Sequence, residues 1–397
     1  MLTNDIIVKD KAINVSSILL LIPFFVLFPI LTIFVIVLFS WVRNDERSWK
    51  LDITALSVFI LLFQSTRLPF VYESDWEGYM EMYRSARNVS LSIFINNYDQ
   101  PDYAWYVLTY ILYYLLDGDT KLYGELIVCT TFVLTYLGLY NYWRKTGMPY
   151  RILITSLVLF TFIPTVIGIS NNLLRQQFAL SIMFYALVTH SYCGKRNFPL
   201  LIFAVLCHTM TIVFIPFYFI KIEERLDIKK ILTVMIITIV CSLIITNISY
   251  FTMLNGFYAY DRIKNGEEHQ LDDVISKSVI IPYILFMSLL YMKAIYMNKI
   301  YNKSFLFVQH LALYISLLCI LLVNMPLILT RYYISRLFVI PFIVPYLIEK
   351  KGFLQNSYSL MTMTAIIILF FSSKHGYFSF TFSELFFSNI WDFSIFS

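Results

Sequence analysis

Apolar residues in this chain come in long runs. Runs near 16–40, 51–71, 121–143, 152–174, 175–192, 231–249, 278–297, 305–329, 333–348 and 354–373 each reach or approach a membrane-spanning length. About 20 apolar residues in a helix cross the ~30 Å hydrocarbon core of a bilayer. Each run therefore predicts a transmembrane helix. Two further segments are ambiguous by this measure. Residues 103–116 are short, and residues 197–220 carry His208 midway.

Charge between the runs sets the orientation. The short loops 43–50, 144–151, 195–196, 221–230, 293–303 and 350–351 carry Lys and Arg, whereas the longer loops 72–102 and 250–276 are rich in Asp and Glu. Basic short loops stay in the cytoplasm. Placing all of them inside imposes a parity. Residues 103–116 then form an interfacial or re-entrant helix, and 197–220 enters and returns as two short helices broken near His208. The expected fold is an all-α polytopic integral membrane protein, a single transmembrane domain over residues 1–397. By span length and loop charge it has about ten to twelve transmembrane helices. A first outer loop over 72–120 holds the interfacial helix, and a second outer loop covers 250–276. Both termini are expected outside. The first apolar run is uncharged from Ala12 to Val42. That is longer than a signal-peptide core, so it reads as a span rather than as a cleaved signal.

Composition agrees. Of 397 residues, 59% are hydrophobic and 14% charged, against about 25% charged in a soluble domain. Phe (36) and Tyr (30) are abundant, as suits a protein whose aromatics crowd membrane interfaces. The net charge of +5 follows from the cytoplasmic loops. No dense basic run lies outside them, so nucleic acid is not an expected partner. Cys129, Cys207, Cys241 and Cys319 lie in apolar stretches and Cys193 in a short loop. Without a CxxC pair they predict neither a disulfide framework nor a thiolate metal site. There is no HExxH or HxxxH pair, no Walker loop and no GxGxxG, so the sequence supports no metal, cofactor or nucleotide-driven mechanism.

Polar groups inside apolar runs carry the chemical signal, because a charge in hydrocarbon costs at least ~2.5–3.5 kcal/mol. Arg175 stands in Asn171-Asn172-Leu173-Leu174-Arg175-Gln176-Gln177-Phe178-Ala179, at the outer end of a span. Its planar fork matches phosphate oxygens, and its amide neighbours exceed what a headgroup anchor needs. Arg331 and Arg336 lie near the outer end of a later span. Five residues apart on a helix, they point in different directions, with Arg336 the deeper. His208 lies mid-segment beside Thr209 and Thr211, where a helix break opens it to water. Asp75, Tyr79 and Tyr83 share one helical face just beyond the second span. Arg67, eight residues before Asp75, either pairs with it, binds a phosphate or anchors at the interface. An ordinary structural role stands beside each of these: a snorkelling Arg, a satisfied core His, a solvated acidic loop.

Together these stretches resemble the EpsG-like branch of the Wzy-type O-antigen and exopolysaccharide polymerases, over roughly residues 60–345. Arg175-Gln176-Gln177-Phe178-Ala179 resembles the family's Arg-Gln-x-x-Ala helix. Ala204 to Thr211 is similar to its Ala-x-x-x-His-x-Ser stretch, with Thr where Ser is common. Asp75-Trp76-x-x-Tyr79 resembles its Asp-x-x-x-Tyr loop, and Arg331 to Pro341 its Arg-rich, aromatic start of a late span. A departure is Gln100-Pro101-Asp102, which stands where the family often has Glu-Pro-Gly.

The resemblance implies a metal-independent, polyprenyl-donor (GT-C-like) glycosyltransferase in the bacterial inner membrane, with its active site facing the periplasm. It would join undecaprenyl-diphosphate-linked repeat units for O-antigen, lipopolysaccharide or exopolysaccharide. Its partners would be those lipid-linked glycans, membrane lipid, and a chain-length regulator and flippase of the same pathway. His208, Asp75 and Arg175 are then the catalytic candidates. Arg331, Arg336, Gln176, Tyr79 and Arg67 are the substrate-binding candidates. Either Asp75 or His208 serves as the base. The rival functions are a lipid-linked oligosaccharide flippase or other transporter, and an O-antigen ligase. A transporter should show two related halves, and none is visible.

Overall fold

The computed structural model describes residues 22–67, 75–98, 101–219, 306–322, 326–348, 353–372 and 382–393, with three single positions between 233 and 240. The expected spans at 231–249 and 278–297 and the second outer loop lie outside the described residues. Among those described, the regular elements are helices.

In chain order these are α1 (Pro29–Arg43), α2 (Trp49–Ser65), α3 (Asp75–Arg84), α4 (Leu91–Asn96), α5 (Tyr103–Leu115) and α6 (Thr120–Thr146). There follow α7 (Tyr150–Phe162), α8 (Pro164–Asn172), α9 (Leu174–Cys193) and α10 (Phe198–Cys207). A short 3₁₀ turn (Thr209–Phe214) leads to α11 (Pro216–Phe219). The chain continues as α12 (Leu306–Leu321), α13 (Pro326–Ile348), α14 (Phe353–Ser372) and α15 (Phe382–Phe387).

The longest helix, α6, is bounded by side-chain and backbone chemistry. Asp119 accepts the N–H groups of Lys121 and Leu122 at 2.9 Å each, satisfying donors that the first turn leaves open. Gly147 ends the helix at φ 68°, a conformation glycine adopts without penalty. Arg144 and Lys145 in the last turn oppose the helix dipole. This helix is long and apolar enough to cross a bilayer alone, and α7 and α8 pass the same test together across a 53° bend. The bend falls at Pro164, whose missing N–H and whose restraint on Ile163 (ψ 116°) interrupt the helix. Residues 152–174, expected from the sequence as one span, are thus two helices, with the geometry of a broken span or a re-entrant loop.

α9 packs along α6 and α10, α2 along α6, and α13 along α7 and α12. The core between them is aromatic, as where Phe59, Phe162 and Phe370 meet with centroids 4.9–6.4 Å apart. Hydrogen bonds between side chains join the helices through it: Tyr136 to Thr161 (2.6 Å), Thr155 to Ser359 (2.6 Å) and Asn141 to Thr189 (3.1 Å). Such polar contacts associate helices where lipid removes the hydrophobic drive between them.

Two ambiguous segments take definite shapes. Residues 198–219 fold back on themselves. Tyr218 stacks on His190 at 3.9 Å and packs on Phe198 at 5.8 Å, so both ends of the segment lie together with His208 at the far end. α5 lies against α10 and α3, and its Trp105 reaches Phe178 in α9, 5.9 Å between rings. One boundary differs from expectation. The sequence reading divided 305–329 from 333–348 at the arginine pair, but the chain breaks before Pro326. Arg331 and Arg336 both lie inside α13. Proline favours a helix's first position, and an arginine inside a helix does not end it.

Candidate functional site

The site is built around Arg175. Leu173 leaves helical geometry (φ −119°, ψ 50°), so Arg175 falls in the first turn of α9, where the chain reorients out of α8. Its Nη1 lies 3.0 Å from Oδ2 of Asp102 and donates to the Tyr106 hydroxyl at 3.4 Å. The Asp102 side chain is 2% exposed and that of Arg175 13%. A buried carboxylate is tolerable only when charged and hydrogen-bonding partners answer it. Asp102 precedes α5, where an aspartate ordinarily caps its own helix, yet it makes no such bond. Its Oδ1 instead accepts the backbone N–H of Thr209 at 3.0 Å. Burial raises the Asp102 carboxyl above its ordinary range, while Arg175 and the bond from Thr209 pull it down.

That N–H is available because the helix breaks one residue earlier. His208 is extended (φ −157°, ψ 112°), ending α10 and starting the 3₁₀ turn. The imidazole is buried. Its Nδ1 accepts the Met210 N–H at 3.5 Å, a long contact.

The remaining wall comes from α3 and α13. Gln176 donates through Nε2 to the Arg331 carbonyl at 2.9 Å, joining α9 to α13. The Tyr79 hydroxyl lies within the fields of Arg175, Asp75 and Arg331 and hydrogen-bonds to the Arg175 backbone. Burial raises it above the usual phenol range, so it is a neutral group at pH 7. Asp75, the first residue of α3, is exposed. Trp76 of the same helix seats against Gly124 of α6 so closely that a Cβ there would lie 2.1 Å from the indole.

Tyr79, Arg175, Gln176 and Arg331 thus come together from distant parts of the chain, with Asp75 on the same helix as Tyr79 and the break at His208 tied in through the Thr209 N–H. Arg67 and Arg336 each lie against an aromatic ring. The Arg67 guanidinium lies over Trp76, 4.0 Å from the ring centroid, and that of Arg336 over Tyr333 at 3.3 Å. Tyr83 turns into the core, stacked 4.2 Å from Tyr123, so it does not share the site with Asp75 and Tyr79.

Sequence reasoning missed Asp102, Tyr106 and Thr209. The available signal was Gln100-Pro101-Asp102 itself, a carboxylate displaced by two positions from the pattern it otherwise resembled. Among the described residues no cluster of three or more His, Cys, Asp or Glu is arranged to hold a metal ion. The groups present are fixed cations, a neutral hydroxyl, an imidazole and an exposed carboxylate. Such a set has the chemistry to hold an anionic group.

The model of the EpsG family matches residues 50–387. Neither the curated proteins nor the solved structures give a match.

Proposed function

The chain belongs to the EpsG family of membrane proteins, and from that membership we propose that it polymerises polysaccharide repeat units carried on undecaprenyl diphosphate. The reading takes the chain as polytopic in the bacterial inner membrane, with the Arg175 site toward the periplasm. The single observation that carries it is Arg175, joined by Asp102 to the helix break after His208 and flanked by Arg331.

The donor is a growing glycan on the lipid diphosphate, and the acceptor is one repeat unit on the same lipid. An acceptor hydroxyl attacks the anomeric carbon, and the lipid diphosphate departs with the bonding pair. Negative charge grows on the diphosphate, where preorganised cations stabilise the transition state. Arg175 and Arg331 supply them. The hydroxyl proton passes to a base at the rim of the site. Asp75, exposed and acceptor-only when ionised, fits that role. His208, at the helix break, is the other candidate, as a base or as a hydrogen-bonding group toward the acceptor sugar or the diphosphate.

Deletion of the gene, with surface glycan resolved by length, separates this reading from its rivals. Where the product is an O-antigen, a polymerase deletion collapses the lipopolysaccharide ladder to a single repeat unit. Complete loss of surface glycan would point to a ligase or a flippase instead.

A further inference from the structure

Asp102 belongs to none of the roles assigned above, yet its carboxylate is the part of the site that joins the most elements. One oxygen meets the Arg175 guanidinium at 3.0 Å and the other accepts the Thr209 N–H at 3.0 Å. The side chain is 2% exposed, so its place is between protein groups and not against a substrate. Aspartate has one rotatable bond fewer than glutamate, and acceptance on both oxygens fixes both torsions. The guanidinium of α9 is thereby referenced to the backbone at the break between α10 and the 3₁₀ turn. Those elements reach each other through sequence separations as long as 107 residues.

We propose that Asp102 is the positioning residue of this site, holding the Arg175 guanidinium and the His208 break as one rigid unit. The inference rests on the reading of Arg175 as the diphosphate cation. It assigns Asp102 a second effect. A carboxylate against the cation weakens the hold on the diphosphate in the ground state, which favours release of the lipid product. Without the carboxylate the cation binds more tightly but is less well aimed. Displacement of a catalytic group by an ångström costs as much as about 10²-fold in rate.

The test uses the full chain in proteoliposomes with a polyprenyl-diphosphate-linked repeat unit, reading kcat, KM and thermal unfolding for each variant. Asp102→Asn removes the charge and keeps an acceptor. Thr209→Pro removes both donors that Thr209 offers Asp102, its N–H and its hydroxyl, at the first position of the turn, where proline is tolerated and where His208 already has the extended geometry that proline demands. Both variants should lower kcat per folded molecule about 10–100-fold, with KM unchanged or lower, beside a lowered unfolding temperature from the disturbed buried pair. Asp102→Glu should recover part of the rate. Normal kcat in Asp102→Asn beside an impaired Arg175→Lys would overturn the positioning role and leave the diphosphate reading standing. Loss of folded protein with normal kcat per molecule would make Asp102 a structural bridge and equally overturn the proposal. Full rate in both Asp102→Asn and Arg175→Lys would remove the diphosphate reading and the positioning role together.

Discussion

A guanidinium held beside a buried carboxylate has two partners to satisfy during turnover, its own protein and its substrate. That makes Arg175→Ala a poor probe, because it strands Asp102 at 2% exposure. Leaving one member of a buried pair alone costs about 3–5 kcal/mol, so protein abundance should fall along with activity. Arg175→Lys is the sharper variant. It keeps a cation against Asp102 and loses the bidentate fork. The expected outcome is near-normal abundance with polymerisation reduced about 10²-fold, the cost of losing one oriented donor to a developing anion. Quantitative immunoblotting and glycan length on the same cells check it. His208 is the second residue-scale case. Where it positions substrate by a hydrogen bond, glutamine can do so in its place. His208→Gln should retain substantial polymer at normal abundance, whereas His208→Ala should lose it. Loss of polymer in His208→Gln at normal abundance would return the base role to the imidazole.

At the scale of elements, the site depends on the seating of α3 against α6. Gly124 gives Trp76 its place, and a methyl there meets the indole at 2.1 Å. Gly124→Ala should displace α3, and Tyr79 with it, at a cost of about 1–3 kcal/mol for overpacking. Adding Trp76→Phe, a smaller ring, should recover part of both the stability and the activity. Unfolding in detergent and polymer yield for the single and double variants measure this coupling, and an additive loss would contradict it. The same scale shows where the sequence was readable. The fold-back at His208 was legible, because a polar residue in mid-run and the parity of basic loops pointed to it together. The 53° bend at Pro164 was not, although the proline was visible, because the apolar run continues through it without a change of composition. Arg331 was assigned to a boundary by its charge, while the physical break belonged to Pro326. Asp102 was hidden for another reason. Its partners lie 73 and 107 positions away, and no local spacing encodes such a pairing. It read as one acid in an acidic loop.

Over the whole molecule, hydropathy and charge give the class of protein, and the packing of α6, α7, α9 and α13 gives the frame that suspends the site. The frame implies two faces. On the proposed topology Lys195 should share the cytoplasmic side with Arg144 and Lys145, and Asp75 the opposite side with Arg175. Single cysteines introduced at positions 195 and 75, in a chain relieved of its native cysteines, test this with an impermeant thiol reagent on intact cells. Position 75 should label from outside and position 195 only after lysis, and the reverse pattern would invert the topology. The central claim is chemical, and reconstitution addresses it most directly. Purified protein in proteoliposomes would receive a single polyprenyl-diphosphate-linked repeat unit, with glycan length and free lipid diphosphate followed by mass spectrometry. Glycans of several repeat units should form on one lipid, with one polyprenyl diphosphate released for each linkage formed. Repeat units that cross the membrane without growing, and without release of lipid diphosphate, would contradict the claim.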